Sequence, residues 1–370
     1  MELQAHKADL VRELALAQGI VEKKNTIPIL SNVLLKASKG WLLLQATDLE
    51  IGIRHGLKAE VSQAGELTVS AKKLFEIVRS LPEDAVTLSS REGGRLRVCC
   101  GKSEFKIVAL DAKDFPALPE CDFTSSFELP AGLFNRLIAK VLFAVTTDES
   151  RFPLAGALFI GNDKGVQLVA TDGHRLAWAE IHKGVKGMGA EQRFVIPKKA
   201  LVELRRALEL GCDTVAIQNK DNHLFFRLGD RVIISRAVDD QFPVYEKVIP
   251  RSNDKKLSFT KIELEGAVRR VALLAAEKAG AVKLSFAPGR LVVSSSNPEM
   301  GEAVDEIACS FLGEPFEIGF NAQYLVEFLG VLETERVSFE LKDGVTQGLL
   351  RPEGGSDEVT HQYVIMPMRI

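Results

Sequence analysis

SNVLLKASKGWLLLQATDLE (31–50), AGALFIGNDKGVQLVATDGH (155–174) and AVKLSFAPGRLVVSSSNPE (281–299) are three renderings of one pattern. Apolar and polar residues alternate on both sides of Lys-Gly, Lys-Gly and Pro-Gly-Arg, the mark of two antiparallel strands joined by a tight turn. The renderings lie about 125 residues apart, far more than the unit of a solenoid.

The same plan extends outward from each hairpin. An amphipathic helix is predicted ahead of it: Lys7–Gln18 (apolar Leu10, Val11, Leu14, Ala15), Ala131–Phe143 (Leu133, Phe134, Leu137, Ile138, Val141) and Lys261–Ala275 (Ile262, Leu264, Val268, Val271). Spacings of three and four put these side chains on one face. A second helix is predicted after it, at Ala71–Leu81, Pro197–Leu210 and Asn321–Leu332, with Pro197 in a first turn where its missing N–H costs nothing. Strands close each copy, with FKIVALDAKDFP (105–116) matching RVIISRAVDDQFP (231–243), and HQYVIMPMRI (361–370) closing the third. Proline-punctuated polar stretches set boundaries near 122 and 252. The predicted class is α+β, with three tandem sheet-rich domains of two helices each, at 1–122, 123–252 and 253–370. Two chains of this kind can close a ring by a head-to-tail contact.

Composition removes other classes. The 47 basic and 50 acidic residues give a net charge of −3, without the overall basicity usual in a protein coated by nucleic acid. No run of 18 apolar residues suggests a membrane helix, and MELQAHKADLVREL has no signal-peptide layout. Five cysteines without metal-site spacing, Cys99 and Cys100 among them, read as packing residues in a reducing cytoplasm.

The distribution of charge matters more than its total. Lys198 with Arg205, and Lys199 with Arg206, lie seven apart and form a basic stripe opposite Leu201, Leu204 and Leu208. Arg136 and Lys140 make a similar pair, as do Lys72, Lys73 and Arg79, with Lys7 and Arg12 nearby, so the acids are expected elsewhere. Such helix faces suit non-specific, salt-sensitive contact with phosphates. At the chain's ends, REGGRLRVCCGKSEFK (91–106) carries Arg95 and Lys102, whereas EMGEAVDE (299–306) carries Glu299 and Glu302. These edges are complementary for head-to-tail pairing, with Phe105, Ile107, Leu273 and Leu274 as an apolar centre.

The words TIPILSNVLL (26–35), ATDLE (46–50), DFP (114–116), ATDGHRLA (170–177), FPVYEKVIP (242–250), GFNAQYL (319–325) and YVIMPMRI (363–370) occur in this order along the whole chain. Together they resemble the bacterial DNA sliding clamp family, the beta subunit of DNA polymerase III. The resemblance implies a ring of two chains, with helices lining the hole, that encircles duplex DNA and catalyses nothing. It implies no cofactor and no metal. A clamp loader opens the ring, the replicative polymerase docks on it, and repair polymerases and mismatch-repair proteins share the same pocket. A cytoplasmic, nucleoid-associated location follows.

The DNA contacts implied by the resemblance are Lys24, Lys72, Arg79, Lys198 and Lys199, to which the stripe adds Arg205. The implied partner pocket takes Arg151, Leu154, Thr171, Gly173, His174, Arg175 and Leu176 from the middle third. It continues with Pro243, Val248, Asn321, Tyr324, Val345 and Gln347, and ends with Val364, Met366, Pro367, Met368 and Arg369. Methionines suit a groove that accepts several apolar peptides. Thr147-Asp148-Glu149-Ser150 is acidic where a tip facing DNA would favour donors, and Phe152-Pro153 and Glu246 also depart from the family.

An enzyme is the rival class. Asp172 and His174 could form an acid–base pair, but no G-x-S-x-G accompanies them. Gly101-Lys102-Ser103 lacks the first glycine of a phosphate loop, which would fall at Leu96. An adaptor ring that never surrounds DNA is the second rival, opposed by the basic helix faces.

Overall fold

The structure, a computed structural model, describes all residues except 22–26, 83, 92, 147, 149–151, 183–184, 186–187, 189, 239–240, 276–279, 356–357 and 370. A module of one strand, one helix and three strands recurs six times among the described residues. The first is β1 (Glu2–His6), α1 (Lys7–Ile20), β2 (Asn32–Ser38), β3 (Trp41–Thr47) and β4 (Ile51–Lys58). After the short β5 (Glu60–Gln63) comes the second: β6 (Gly65–Ser70), α2 (Ala71–Ser80), β7 (Ala85–Arg91), β8 (Arg95–Cys100) and β9 (Ser103–Leu110). The third is β10 (Phe127–Pro130), α3 (Ala131–Val141), β11 (Gly156–Gly161), β12 (Val166–Thr171) and β13 (Arg175–Ile181). The fourth is β14 (Gln192–Pro197), α4 (Lys198–Glu209), β15 (Thr214–Lys220), β16 (His223–Leu228) and β17 (Arg231–Arg236). The fifth is β18 (Lys255–Thr260), α5 (Lys261–Ala272), β19 (Ala281–Ala287), β20 (Arg290–Asn297) and β21 (Gly301–Ala308). The sixth is β22 (Phe316–Asn321), α6 (Ala322–Gly330), β23 (Arg336–Leu341), β24 (Gly348–Glu353) and β25 (Val359–Ile365). Each predicted 125-residue copy is therefore two smaller modules.

The fold is α+β, and all three predicted hairpins form. Lys39 and Gly40 at the first turn have φ of 51° and 82°, the mirror-image turn that matches strand twist. All six helices start within one residue of their predicted positions. Asn321 is the cap of α6, not its first residue, its Oδ1 accepting from the Gln323 and Tyr324 amides at 2.9 and 3.3 Å. Pro197 ends the edge strand β14, where a proline removes no ladder bond, and does not sit in α4. Two predicted core residues point outward: Ile262 is 78% exposed and Ala15 is exposed. On α1 the buried face holds Glu13 instead, beside Leu10, Leu14 and Ala17.

The chain forms two compact units, Met1–Asn135 with Lys199–Ala237, and Arg136–Lys198 with Val238–Ile370. In the first, antiparallel pairing of β4 with β17 joins distant stretches, Ile53 opposite Ile233. In the second, β13 pairs with β25 in the same manner, Ala177 opposite Tyr363. Both junctions join the last strand of an odd module to the last strand of an even one. Two strands of these classes remain with an open edge among the described residues. They are β9, which reaches β6 only through Ala109 and Leu110, and β21, which pairs with β20 alone.

Candidate functional site

The second unit gathers most of the predicted pocket. Its centre is the turn between β12 and β13. Thr171 Oγ1 donates to the Arg175 carbonyl at 2.6 Å and accepts from the Gly173 amide at 3.1 Å. Asp172 Oδ1 accepts from the His174 and Arg175 amides at 2.9 and 3.0 Å, and Gly173 adopts a φ of 88° that a side chain would resist. The chain end runs alongside. Leu176 faces Val364, the Met366 amide donates to the His174 carbonyl at 2.9 Å, and the Met368 amide to the Gly319 carbonyl at 2.8 Å.

Beneath lies an apolar floor in which Leu176 and Val364 pack with Leu158, Val169, Phe242, Tyr245 and Leu349, and Val248 packs against it. Gln347 Nε2 donates to the Val248 carbonyl at 3.3 Å. Leu154, Met366, Pro367 and Met368 are half-buried, while Pro243 and Arg369 are exposed. Val345 is 81% exposed and Val244, which sequence reasoning passed over inside FPVYEK, is 62% exposed. Exposed valines beside a built apolar floor are surface that a partner could cover. Arg151 lies outside the described residues, as does most of loop 147–151.

Arg175 organises one wall. It is buried, and its Nε donates to Asp172 Oδ2 at 2.9 Å, its Nη2 to the Phe143 carbonyl at 2.6 Å, and its Nη1 to Glu327. Its Cζ lies 4.1 Å from the centre of the Tyr324 ring. Asp172 is thus committed to Arg175 and the turn, which answers the acid–base reading of Asp172 and His174. A cavity of about 410 Å³ opens here, lined by Phe143, Asp172, His174, Arg175, Lys198, Tyr324 and Glu327 among others. Sequence reasoning missed Phe143 and Glu327, although Glu327 lies three residues after Tyr324 on α6.

Lys198 belongs to this wall as much as to the basic stripe. Its Nζ donates to the Val145 carbonyl at 2.9 Å, and burial with the nearby Arg175 charge pushes its ammonium pKa down. Lys199, in the first unit, is bonded to the nearly buried Asp48. Arg205 is half-buried against Glu209 at 3.5 Å, whereas Lys72 and Arg79 are exposed, with Lys72 3.8 Å from Glu76. Lys24 lies outside the described residues. The expectation that acids would be elsewhere is overturned, since Glu76, Glu203 and Glu209 share helices with the bases they pair. Arg136 and Lys140 also depart from an open basic face. Both reach Glu333, at 3.7 and 3.6 Å, and Lys140 is buried, which pushes its ammonium pKa down. A groove of about 840 Å³ in the first unit is lined by Val11 and Arg12 of α1, Lys72 and Phe75 of α2, and Arg206 of α4.

The open edges carry the predicted contact residues. On and beside β9, Arg95 and Lys102 are exposed and Phe105 and Ile107 half-exposed; around β21, Glu299, Glu302 and Leu273 are exposed and Leu274 half-exposed. Missed by the sequence reading are Val108 and Val304, 71% and 69% exposed in mid-strand. Among the described residues no cluster of metal-ligating side chains occurs, and no helix is long and apolar enough to cross a membrane.

Three family models, described as the N-terminal, central and C-terminal domains of the DNA polymerase III beta subunit, match residues 1–119, 128–244 and 246–369. The chain is 38% identical over 379 residues to a beta sliding clamp of Caulobacter vibrioides, covering 100% of each. In three dimensions it is similar to a sliding clamp from Bartonella birtlesii bound to griselimycin, with a TM-score of 0.93 and 35% identity over 100% of both chains. It is also similar to the DNA polymerase III subunit beta of Pseudomonas aeruginosa, with a TM-score of 0.90 and 35% identity over 100% of both.

Proposed function

The chain belongs to the DNA polymerase III beta subunit family of sliding clamps, processivity factors that carry no catalytic site, and on that premise we propose how its parts serve the role. Two copies pair head to tail through β9 of one and β21 of the other, closing a ring of six domains around duplex DNA. The supporting observation is the repeated junction: β4 with β17 and β13 with β25 leave β21 and β9 as the third pair of the series. Pairing them continues the sheet and covers Val108 and Val304, while Arg95 and Lys102 against Glu299 and Glu302 set the register. Leu273, Leu274, Phe105 and Ile107 complete the contact. Domain limits at 122 and 252 accompany this reading.

Lys24, Lys72, Arg79 and Arg205 attract phosphates without reading sequence; Lys198 and Lys199 contribute by giving up bonds inside the protein. A near-neutral chain suits sliding, because retention comes from closure and not from grip. The groove around His174 and Met366 takes an apolar peptide from the replicative polymerase, from clamp-loader subunits, and from repair polymerases and mismatch-repair proteins, in the cytoplasm at the nucleoid. Griselimycin, held by a related clamp, is a ready probe of this groove.

The deciding experiment loads the protein on nicked circular DNA with a clamp loader and then linearises the circle. Retention on the circle with loss from the line is expected. Equal retention on both would remove encirclement and leave an adaptor.

A further inference from the structure

We infer that the first unit contains a second copy of the partner groove, closed by the ion pair Glu50–Arg236, so that each chain accepts one peptide and not two. The inference rests on the reading of the groove around His174 and Met366 as the docking site.

The two junctions repeat the same hydrogen bonds and strand register. The Met366 amide donates to the His174 carbonyl at 2.9 Å, and the Arg236 amide to the Glu50 carbonyl at 2.9 Å. Leu176 pairs with Val364, and Gly52 with Ile234. Thr47 Oγ1 donates to the Ile51 carbonyl at 2.9 Å, as Thr171 does to Arg175. Asp48 Oδ1 accepts from the Glu50 and Ile51 amides at 2.9 and 2.7 Å, as Asp172 does from His174 and Arg175. Leu49 even adopts the left-handed φ of 81° that Gly173 adopts at 88°.

The side chains differ where a peptide would lie. His174 becomes Glu50 and Met366 becomes Arg236, and the two charges pair at 3.3 Å with side chains 70% and 57% exposed. An apolar ligand laid over them must strip water from both, a cost that a surface pair cannot return. Leu176 becomes Gly52, and a Cβ there would stand 2.6 Å from Leu118 Cδ2, so a leucine from the β9–β10 connection already covers that floor. A polarisable, adaptable surface has been replaced by a charged and filled one on the same backbone.

Titration calorimetry with griselimycin tests this on the full chain. One molecule per chain is expected for the natural protein. His174→Glu with Met366→Arg, which installs the ion pair, should weaken binding more than tenfold. Glu50→His with Arg236→Met, checked for folding by its melting curve, should add a second class of sites and move the stoichiometry toward two. A folded variant that stays at one, or an installed pair that leaves affinity unchanged, overturns the inference. Tyr324→Ala separates the two failures: if it leaves wild-type affinity intact, the groove assignment itself has failed.

Discussion

Arg175 holds three partners and an aromatic ring at once. Its removal takes the guanidinium from between the Asp172 and Glu327 carboxylates, which keep neutral bonds to the turn amides and to Gln323 Nε2. Breaking a buried pair costs about 3–5 kcal/mol, and the value expected here is nearer the lower end because Glu327 is 30% exposed. Arg175→Ala should therefore lower the stability of the second unit by about 3 kcal/mol in urea denaturation. His361 is a different case. It is fully enclosed, with Nε2 2.9 Å from the Lys140 carbonyl, and burial together with the Lys140 charge pushes its imidazole down to about 3. Its folded pKa lies below the unfolded value, so the neutral ring's contribution is complete above about pH 6.5 and is lost as pH falls toward 3. The urea midpoint should drop between pH 7 and pH 5, and His361→Phe should flatten that drop; an unchanged slope would assign the titration to another group. Neither residue could be read as buried from the sequence. Glu13 shows why: on α1 it looks like a solvated charge, yet burial, which alone would raise its pKa, is outweighed by bonds from His55, Arg231 and Arg12, which hold its carboxyl well below the usual range. His55 and Arg231 are remote in the chain, and no local pattern announces them.

At the scale of elements, the hairpins and helix faces were legible because period and turn chemistry are local. Glycine beside lysine at 39–40 specified its turn, and Leu201, Leu204 and Leu208 are buried as their spacing required. The halving of each copy into two modules was not legible, since β1 and β6 share little beyond their place before a helix. The junctions β4–β17 and β13–β25 were hidden for a stronger reason, as strand partners separated by well over a hundred residues leave no trace in either segment. Most of the groove residues were reached through family words, and the structure supplied the reason they converge. The open edges make a direct prediction. Val108→Lys places a charge in the middle of the proposed pairing of β9 with β21, and sedimentation should then show a monomer at concentrations where the natural chain is a dimer. A persistent dimer would move the interface elsewhere.

For the whole molecule, bases and acids are interleaved on the helices, and the attraction to DNA should be correspondingly mild. Lys72→Glu with Arg205→Glu removes two exposed or half-exposed bases without disturbing the inward bond of Lys198. The slope of log affinity against log salt should become shallower by about 2, a step of roughly 0.9 for each phosphate that is no longer neutralised. A slope that does not change would take these helices away from the DNA.

The pairing of Ile51–Arg54 with Val232–Ser235 also bears on how the protein can be cut. A fragment ending near residue 122 would satisfy every family boundary and still bare one flank of β4, an invitation to stack with its own copies. Such a fragment should precipitate on expression, and the Gly52 amide, which faces Ile234 of β17, should exchange with deuterium far faster in what stays soluble than in the intact chain. Adding a separate 123–252 piece should slow that exchange again, a complementation that a boundary between independent folds would not produce.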